Sequence, residues 1–185
     1  VWLSSPPGSQ VAYSNLGYSL VGAAIERSSG KSFEAQLQSR LLKPLEMNQS
    51  SFVGTGTQLS FRALGYEDGV ASTDAQVRDL AAGGLWASPK DLSHYVQMLF
   101  AHGLYKGNRV LESPSIDQMF TQQNTGNALD FDCQMGLGWF LAPCGDEPVA
   151  PGVRTYQHSG GGDDFAAQLS VLPDQQLAVI IMAND

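Results

Sequence analysis

The chain has 185 residues, 43% of them apolar, enough to fill the core of one domain. Its net charge of −8 excludes the basic surface that nucleic acids or anionic membranes select. No apolar run reaches the ~20 residues that cross a bilayer, and the scattered His94, His102 and His158, with no Cys-x-x-Cys, imply no metal.

Residues 1–12 are rich in Ser, Pro and Gly and read as a loop. Ser14 or Asn15 can cap a helix carrying Leu16, Leu20, Val21, Ala24 and Ile25, which Ser29-Gly30 ends. Ser32 caps a second helix through Phe33, Leu37, Leu41 and Leu42, stopped by Pro44. Residues 48–73 lack a period and read as loops and short turns, followed by a short helix over Asp74–Leu80. Ser88-Pro89 starts a helix carrying Leu92, Tyr95, Val96, Leu99 and Phe100 that ends at Gly103; Ser113-Pro114 starts another to Phe120. Strands are predicted at Gly136–Leu141, Arg154–His158, Phe165–Leu172 and Gln176–Met182, with Pro173-Asp174-Gln175 turning the last two into an antiparallel hairpin. Cys133 and Cys144 flank the first of these. If it is one extended strand, its ends lie too far apart for a disulfide, which favours two free or buried thiols.

Helices first and an antiparallel sheet last is the α+β pattern. We divide the chain into a mainly helical part, 1–134, and a strand part, 135–185, together forming part of one domain.

Six segments in order resemble one family: Tyr13-Ser14-Asn15-Leu16-Gly17-Tyr18, Ser29-Gly30-Lys31-Ser32-Phe33, Pro44-Leu45-Glu46-Met47, Gly83-Gly84-Leu85 with the helix that follows, Gly136-Leu137-Gly138-Trp139, and His158-Ser159-Gly160-Gly161 with the closing apolar strand. They are similar to the motifs of the serine β-lactamase and penicillin-binding-protein superfamily, including class C β-lactamase, D-alanyl-D-alanine carboxypeptidase and esterase relatives. The family often has Gly where Glu46 stands. The resemblance implies an antiparallel sheet flanked by helices, with the site in the cleft beside a helical subdomain. It also implies a small-molecule or peptide substrate, no cofactor, and a bacterial periplasmic or extracellular location.

In that family a nucleophilic serine in Ser-x-x-Lys precedes the tyrosine motif. Only 12 residues precede Tyr13, and they contain no such motif. The chain is therefore expected to be the C-terminal portion of a serine hydrolase, with peptidase, esterase or β-lactamase activity, and to be inactive alone. An exposed sheet edge would then invite a complementing N-terminal segment or self-association. The alternative is a non-catalytic fragment or pseudoenzyme that binds peptides or a partner protein.

A serine hydroxyl is a poor nucleophile without a base. The resemblance gives that work to Tyr13, a phenol that needs cationic or hydrogen-bonding neighbours to act near neutrality. Asn15 would hydrogen-bond a substrate carbonyl and hold the lysine. His158 would relay a proton or hold the phenol. The Gly161 N–H would form half of the oxyanion hole. Ser159 and Gly160 would contact substrate. Arg154, on the same strand face as His158, would take a substrate carboxylate. Ser28-Ser29-Gly30-Lys31 matches Ser-x-x-Lys literally, but it straddles a helix end and follows the tyrosine motif, so it is set aside.

Overall fold

Serine caps set the starts of the main helices. A computed structural model describes residues 5–52, 62–72, 79–141, 144, 151–162 and 164–184. Ser14 is extended (φ −151°), and its Oγ accepts from the Gly17 N–H at 2.9 Å, starting α1 (Asn15–Ser29). Gly30 ends α1 at φ 68°, its N–H donating to the Glu26 carbonyl at 2.9 Å. Ser32 starts α2 (Phe33–Leu37), and the chain continues as a wide turn to Leu42, where the Lys43 N–H reaches back to the Gln38 carbonyl at 3.0 Å. That widening precedes Pro44, which has no N–H to donate. Glu46 then takes φ 54°, a left-handed backbone that glycine adopts without strain.

The helix expected over Asp74–Leu80 lies outside the described residues from Asp74 to Arg78. What is described is α3 (Leu80–Gly83), which extends into the Gly-Gly pair. Ser88 and Pro89 start α4 (Pro89–Phe100), with the Ser88 Oγ accepting from the Asp91 N–H at 3.1 Å. This helix ends at Phe100, short of Gly103. α5 covers Ser113–Met119.

The segment expected to be loops contains short pairings. β1 (Ser51–Phe52) pairs with β4 (Leu85–Trp86), and β2 (Tyr66–Glu67) pairs with β3 (Val70–Ala71). Asp68 (φ 51°) and Gly69 (φ 75°) form the two-residue left-handed turn between β2 and β3. Lys106 and Gly107 do the same between β5 (Leu104–Tyr105) and β6 (Asn108–Arg109).

The main sheet is antiparallel, β7 (Tyr156–Gly161), β8 (Ala166–Leu172) and β9 (Leu177–Ala183), in that order across the sheet. Tyr156 faces Val171, Gly161 faces Ala166, and Leu172 faces Leu177. β7 starts two residues later than expected, so the whole His158-Ser159-Gly160-Gly161 motif is held in register by β8. α4 packs against β9, and the core includes Leu42, Leu45, Met98 on α4 and Val171 on β8. On the other side of β9, Leu177, Val179 and Ile181 are exposed in alternation.

Two expectations are corrected here. Gly136–Leu141 is not one strand but a tight hairpin: Met135 bridges Phe140, the Gly136 N–H donates to the Trp139 carbonyl at 2.8 Å, and Gly138 takes φ 78°. Because the chain doubles back, Cys133 and Cys144 come to a Cα separation of 4.5 Å and form a disulfide. The premise of an extended strand between them was what excluded the bond. Phe120 stacks on Tyr156 (4.8 Å between ring centroids) and packs on Trp139 (5.3 Å), seating the hairpin on the sheet. The Tyr95 phenol beneath is pushed up to about 12 by burial, partly offset by its hydrogen bond with the Trp139 side chain.

Candidate functional site

Tyr13 is the residue just before the Ser14 cap, so the helix start fixes where its ring leaves the main chain. The ring is exposed, 66%, and lies 6.1 Å from the His158 ring on β7. Two motifs from opposite ends of the chain therefore meet face to face. Because Ser14 supplies the cap, Asn15, the first residue of α1, is not used as one. Among the described residues its amide has no hydrogen-bond partner. α1 is seated against the Gly136–Trp139 hairpin: the Tyr18 Oη lies 3.3 Å from where a Cβ on Gly138 would stand.

The His158 ring also packs against Phe140 at 5.7 Å, and its Nδ1 lies 2.6 Å from the Ser159 carbonyl oxygen. A carbonyl only accepts, so Nδ1 carries a proton in this contact, which leaves Nε2 as the nitrogen turned away from the backbone. Phe140 exchanges two backbone bonds with Gln157, at 2.9 and 3.0 Å, on the edge of β7 away from β8. Alternation along an antiparallel strand then puts the N–H groups of Ser159 and Gly161 on that same open edge. A Cβ on Gly161 would meet nothing within 4 Å, so the glycine leaves space beside its N–H. Gly160 turns its backbone toward β8, with 3.7 Å from its Cβ position to the Ala167 Cβ. Ser159 is exposed beside it.

Arg154 is placed elsewhere. It precedes β7 and forms a two-pronged ion pair with Asp174 in the β8–β9 turn, through Nη2 to Oδ1 and through Nε to Oδ2 at 3.2 Å. Four residues of strand, about 13 Å, separate it from His158. The structure brings Tyr13, Asn15, His158, Ser159, Gly160 and Gly161 to one end of the sheet and leaves Arg154 at the other. Ser28 and Lys31 fall on either side of the left-handed Gly30, and the Ser28 hydroxyl donates to the Ile25 carbonyl at 3.1 Å.

Sequence reasoning missed several neighbours. Asp164, just past β7, accepts from the Ser72 hydroxyl, and Phe165 packs edge-on against Trp86 at 4.9 Å, fastening 62–72 and β4 beside the glycine end of β7. Asp130 accepts from the Val11 N–H at 2.6 Å and from the Asn124 amide at 2.9 Å. The Val11 bond first, then Asn124, hold its carboxyl below the ordinary 3.8. A depressed folded value means that ionised Asp130 contributes stability in full above 3.8, and that this is lost as the pH falls through the lower folded value. The Val11 amide proton, followed by NMR through an acid titration, is expected to shift with a midpoint below 3.8.

A family model described as Beta-lactamase matches residues 1–185. The chain is 24% identical over 187 residues to the D-alanyl-D-alanine-carboxypeptidase/endopeptidase AmpH of Escherichia coli, covering 98% of this chain and 47% of that protein. It is 26% identical over 188 residues to Protein flp of Staphylococcus aureus, covering 98% and 35%. The octameric penicillin-binding protein homologue from Pyrococcus abyssi superposes with a TM-score of 0.76 at 25% identity, covering 100% of this chain and 41% of that one. A class C beta-lactamase superposes at 0.74 and 20% identity, covering 94% and 52%. The chain thus spans half or less of the curated relatives it matches, and its α+β fold corresponds to part of theirs. The motifs, the sheet order and the full-length family match agree, and the chain belongs to the Beta-lactamase family of the serine β-lactamase and penicillin-binding-protein superfamily.

Proposed function

We propose that these residues supply the base-and-oxyanion portion of a serine hydrolase acting by acylation and deacylation on an ester, D-amino peptide or β-lactam. Its Ser-x-x-Lys comes from a segment outside the 185 residues. The observation that carries this is the approach of Tyr13 to His158, 6.1 Å between rings, beside the open-edge Gly161 N–H. In this reading the Tyr13 oxygen takes the proton of the serine hydroxyl while passing its own proton to His158 Nε2, and the serine oxygen bonds to the carbonyl carbon; the two protons move back as the leaving group departs. The carbonyl electrons move onto oxygen, where the Gly161 N–H donates to them. The leaving group departs with the proton, and water then releases the acyl chain by the same route. His158 Nε2 holds the phenol by accepting from it, and Asn15 donates to the substrate carbonyl. Ser159 and Gly160 line the strand edge where a substrate backbone would lie.

The parts 1–134 and 135–185 make one catalytic domain in this reading, completed by the missing segment. The exposed apolar stripes of β9 (Leu177, Val179, Ile181) and α1 (Leu16, Leu20, Val21) support a surface that another segment covers. The Cys133–Cys144 bond supports an oxidising compartment.

Intact-mass spectrometry after exposure to a penicillin-type probe and to an activated ester tests the proposal. The full-length gene product is expected to gain one acyl group, and the 185-residue chain none. An adduct mapped within residues 1–185 would overturn the assignment of the nucleophile. A second reading, a non-catalytic peptide binder, is favoured by one observation: the sole Ser-x-x-Lys in the chain is broken at Gly30. Binding of a D-alanyl-D-alanine peptide without labelling of the full-length product would establish it.

A further inference from the structure

We infer that Asp130 is a positioning residue for Tyr13, fixing the segment that delivers the phenol to the site through the Val11 N–H. The inference rests on the catalytic role proposed for Tyr13.

Residues 10–13 belong to no helix or strand. Among the described residues, the Val11 N–H to Asp130 Oδ1 bond of 2.6 Å is the hydrogen bond that ties this segment to the rest of the molecule. A charged acceptor makes it stronger than a bond between neutral groups. Two residues further along stands Tyr13, exposed, directly before the Ser14 cap of α1.

Asp130 is itself fixed. Its second oxygen accepts from Asn124 Nδ2 at 2.9 Å; the same nitrogen donates to the Cys133 carbonyl at 2.7 Å, and Asn124 Oδ1 accepts from the Met135 N–H at 3.0 Å. Asn124 is buried, which holds its amide in place for these bonds. The Asp130 carbonyl accepts from the Cys133 N–H at 3.0 Å, just before the disulfide. Phe131, directly after Asp130, is held at φ 51° and ψ −123°, a backbone that a bulky side chain resists, while its ring is 91% exposed. With no packing of its own to reward that conformation, the strain is explained by the contacts of its neighbour.

The same loop reaches the other half of the site. Met135, bonded to Asn124, bridges Phe140, whose ring packs on His158. Asn124 therefore links both partners: Tyr13 through Asp130 and Val11 on the chain before Cys133, and His158 through Met135 and Phe140 inside the disulfide loop.

The test measures the single-turnover acylation rate of the full-length gene product by an activated ester, for Asp130→Ala, Asp130→Asn, Tyr13→Phe and Tyr13→Phe/Asp130→Ala. Thermal unfolding verifies that each is folded, and hydrogen exchange reads the Val11 amide. Asp130→Ala is expected to slow acylation about 30-fold with KM unchanged, because a misplaced catalytic group costs up to ~100-fold. Asp130→Asn keeps an oxygen for Val11 and is expected to recover most of the rate. In the Tyr13→Phe background the Asp130→Ala effect is expected to vanish, which a general loss of stability would not produce. Exchange at Val11 should quicken in Asp130→Ala. An Asp130→Ala rate within about 2-fold of the parent, or an undiminished effect in the Tyr13→Phe background, would overturn the inference while leaving Tyr13 in place. A Tyr13→Phe variant that acylates normally would overturn both it and the proposed function.

Discussion

Replacing Tyr13 by phenylalanine is expected to slow acylation of the full-length gene product about 10³-fold, within the span that general acid–base groups contribute. The change removes one oxygen. Two thirds of the Tyr13 side chain is already in solvent, and the Ser14 cap that starts α1 does not depend on it. The ring still packs toward His158. Stability and KM should therefore hold while the rate constant falls, the signature of an interaction made only in the transition state. Single-turnover kinetics with an activated ester, beside a thermal unfolding curve, separates the two. A loss smaller than about 3-fold would remove Tyr13 from the chemistry.

The second large effect is on stability. Asp91 is 2% exposed at the third position of α4, and its Oδ2 accepts from the Gln49 N–H at 2.7 Å and the Ser50 hydroxyl at 2.8 Å. Ser50 is itself 1% exposed. Asp91→Ala leaves the buried Ser50 hydroxyl and the part-buried Gln49 N–H without their acceptor, at up to about 3 kcal/mol for the first and less for the second, and removes a favourable carboxylate from the helix N-terminus. About 4 kcal/mol is expected in all, a fall in Tm of about 10 °C for a chain of this size. Asp91→Asn keeps one oxygen in place and should lose about a third as much. Calorimetry or thermal circular dichroism measures both. A fall below about 2 °C for Asp91→Ala would mean that the loop from Met47 to Ser50 is held by its apolar contacts instead.

Much of the fold is written locally. Ser14, Ser32 and Ser88-Pro89 announce three helix starts because a short hydroxyl beside the first turn satisfies N–H groups that the helix cannot. The β8–β9 hairpin is legible in two apolar runs and the Pro173-Asp174-Gln175 turn between them. Asp68-Gly69 and Lys106-Gly107 are equally local signals, although short strands flanking them carry too few residues to show a period. The order of the motifs was enough to bring out the family and to name Tyr13, Asn15, His158 and the glycines after it.

Other features depend on contacts between distant parts of the chain. The cysteine pairing turned on whether Met135–Leu141 runs straight or folds back, and Gly138 at φ 78° together with the packing of Trp139 on Phe120 decided it. Arg154 was expected on one strand with His158, yet it lies before β7, where Asp174 captures it because the β8–β9 turn returns to that end of the sheet. Asp130 carries no local mark of its role, since its partner Val11 lies 119 residues away. Capping, periodicity and turn torsions act over a few residues, so they are legible in each short stretch alone. Which charges and rings share a site depends on how all the elements pack and which groups the packing leaves to find one another.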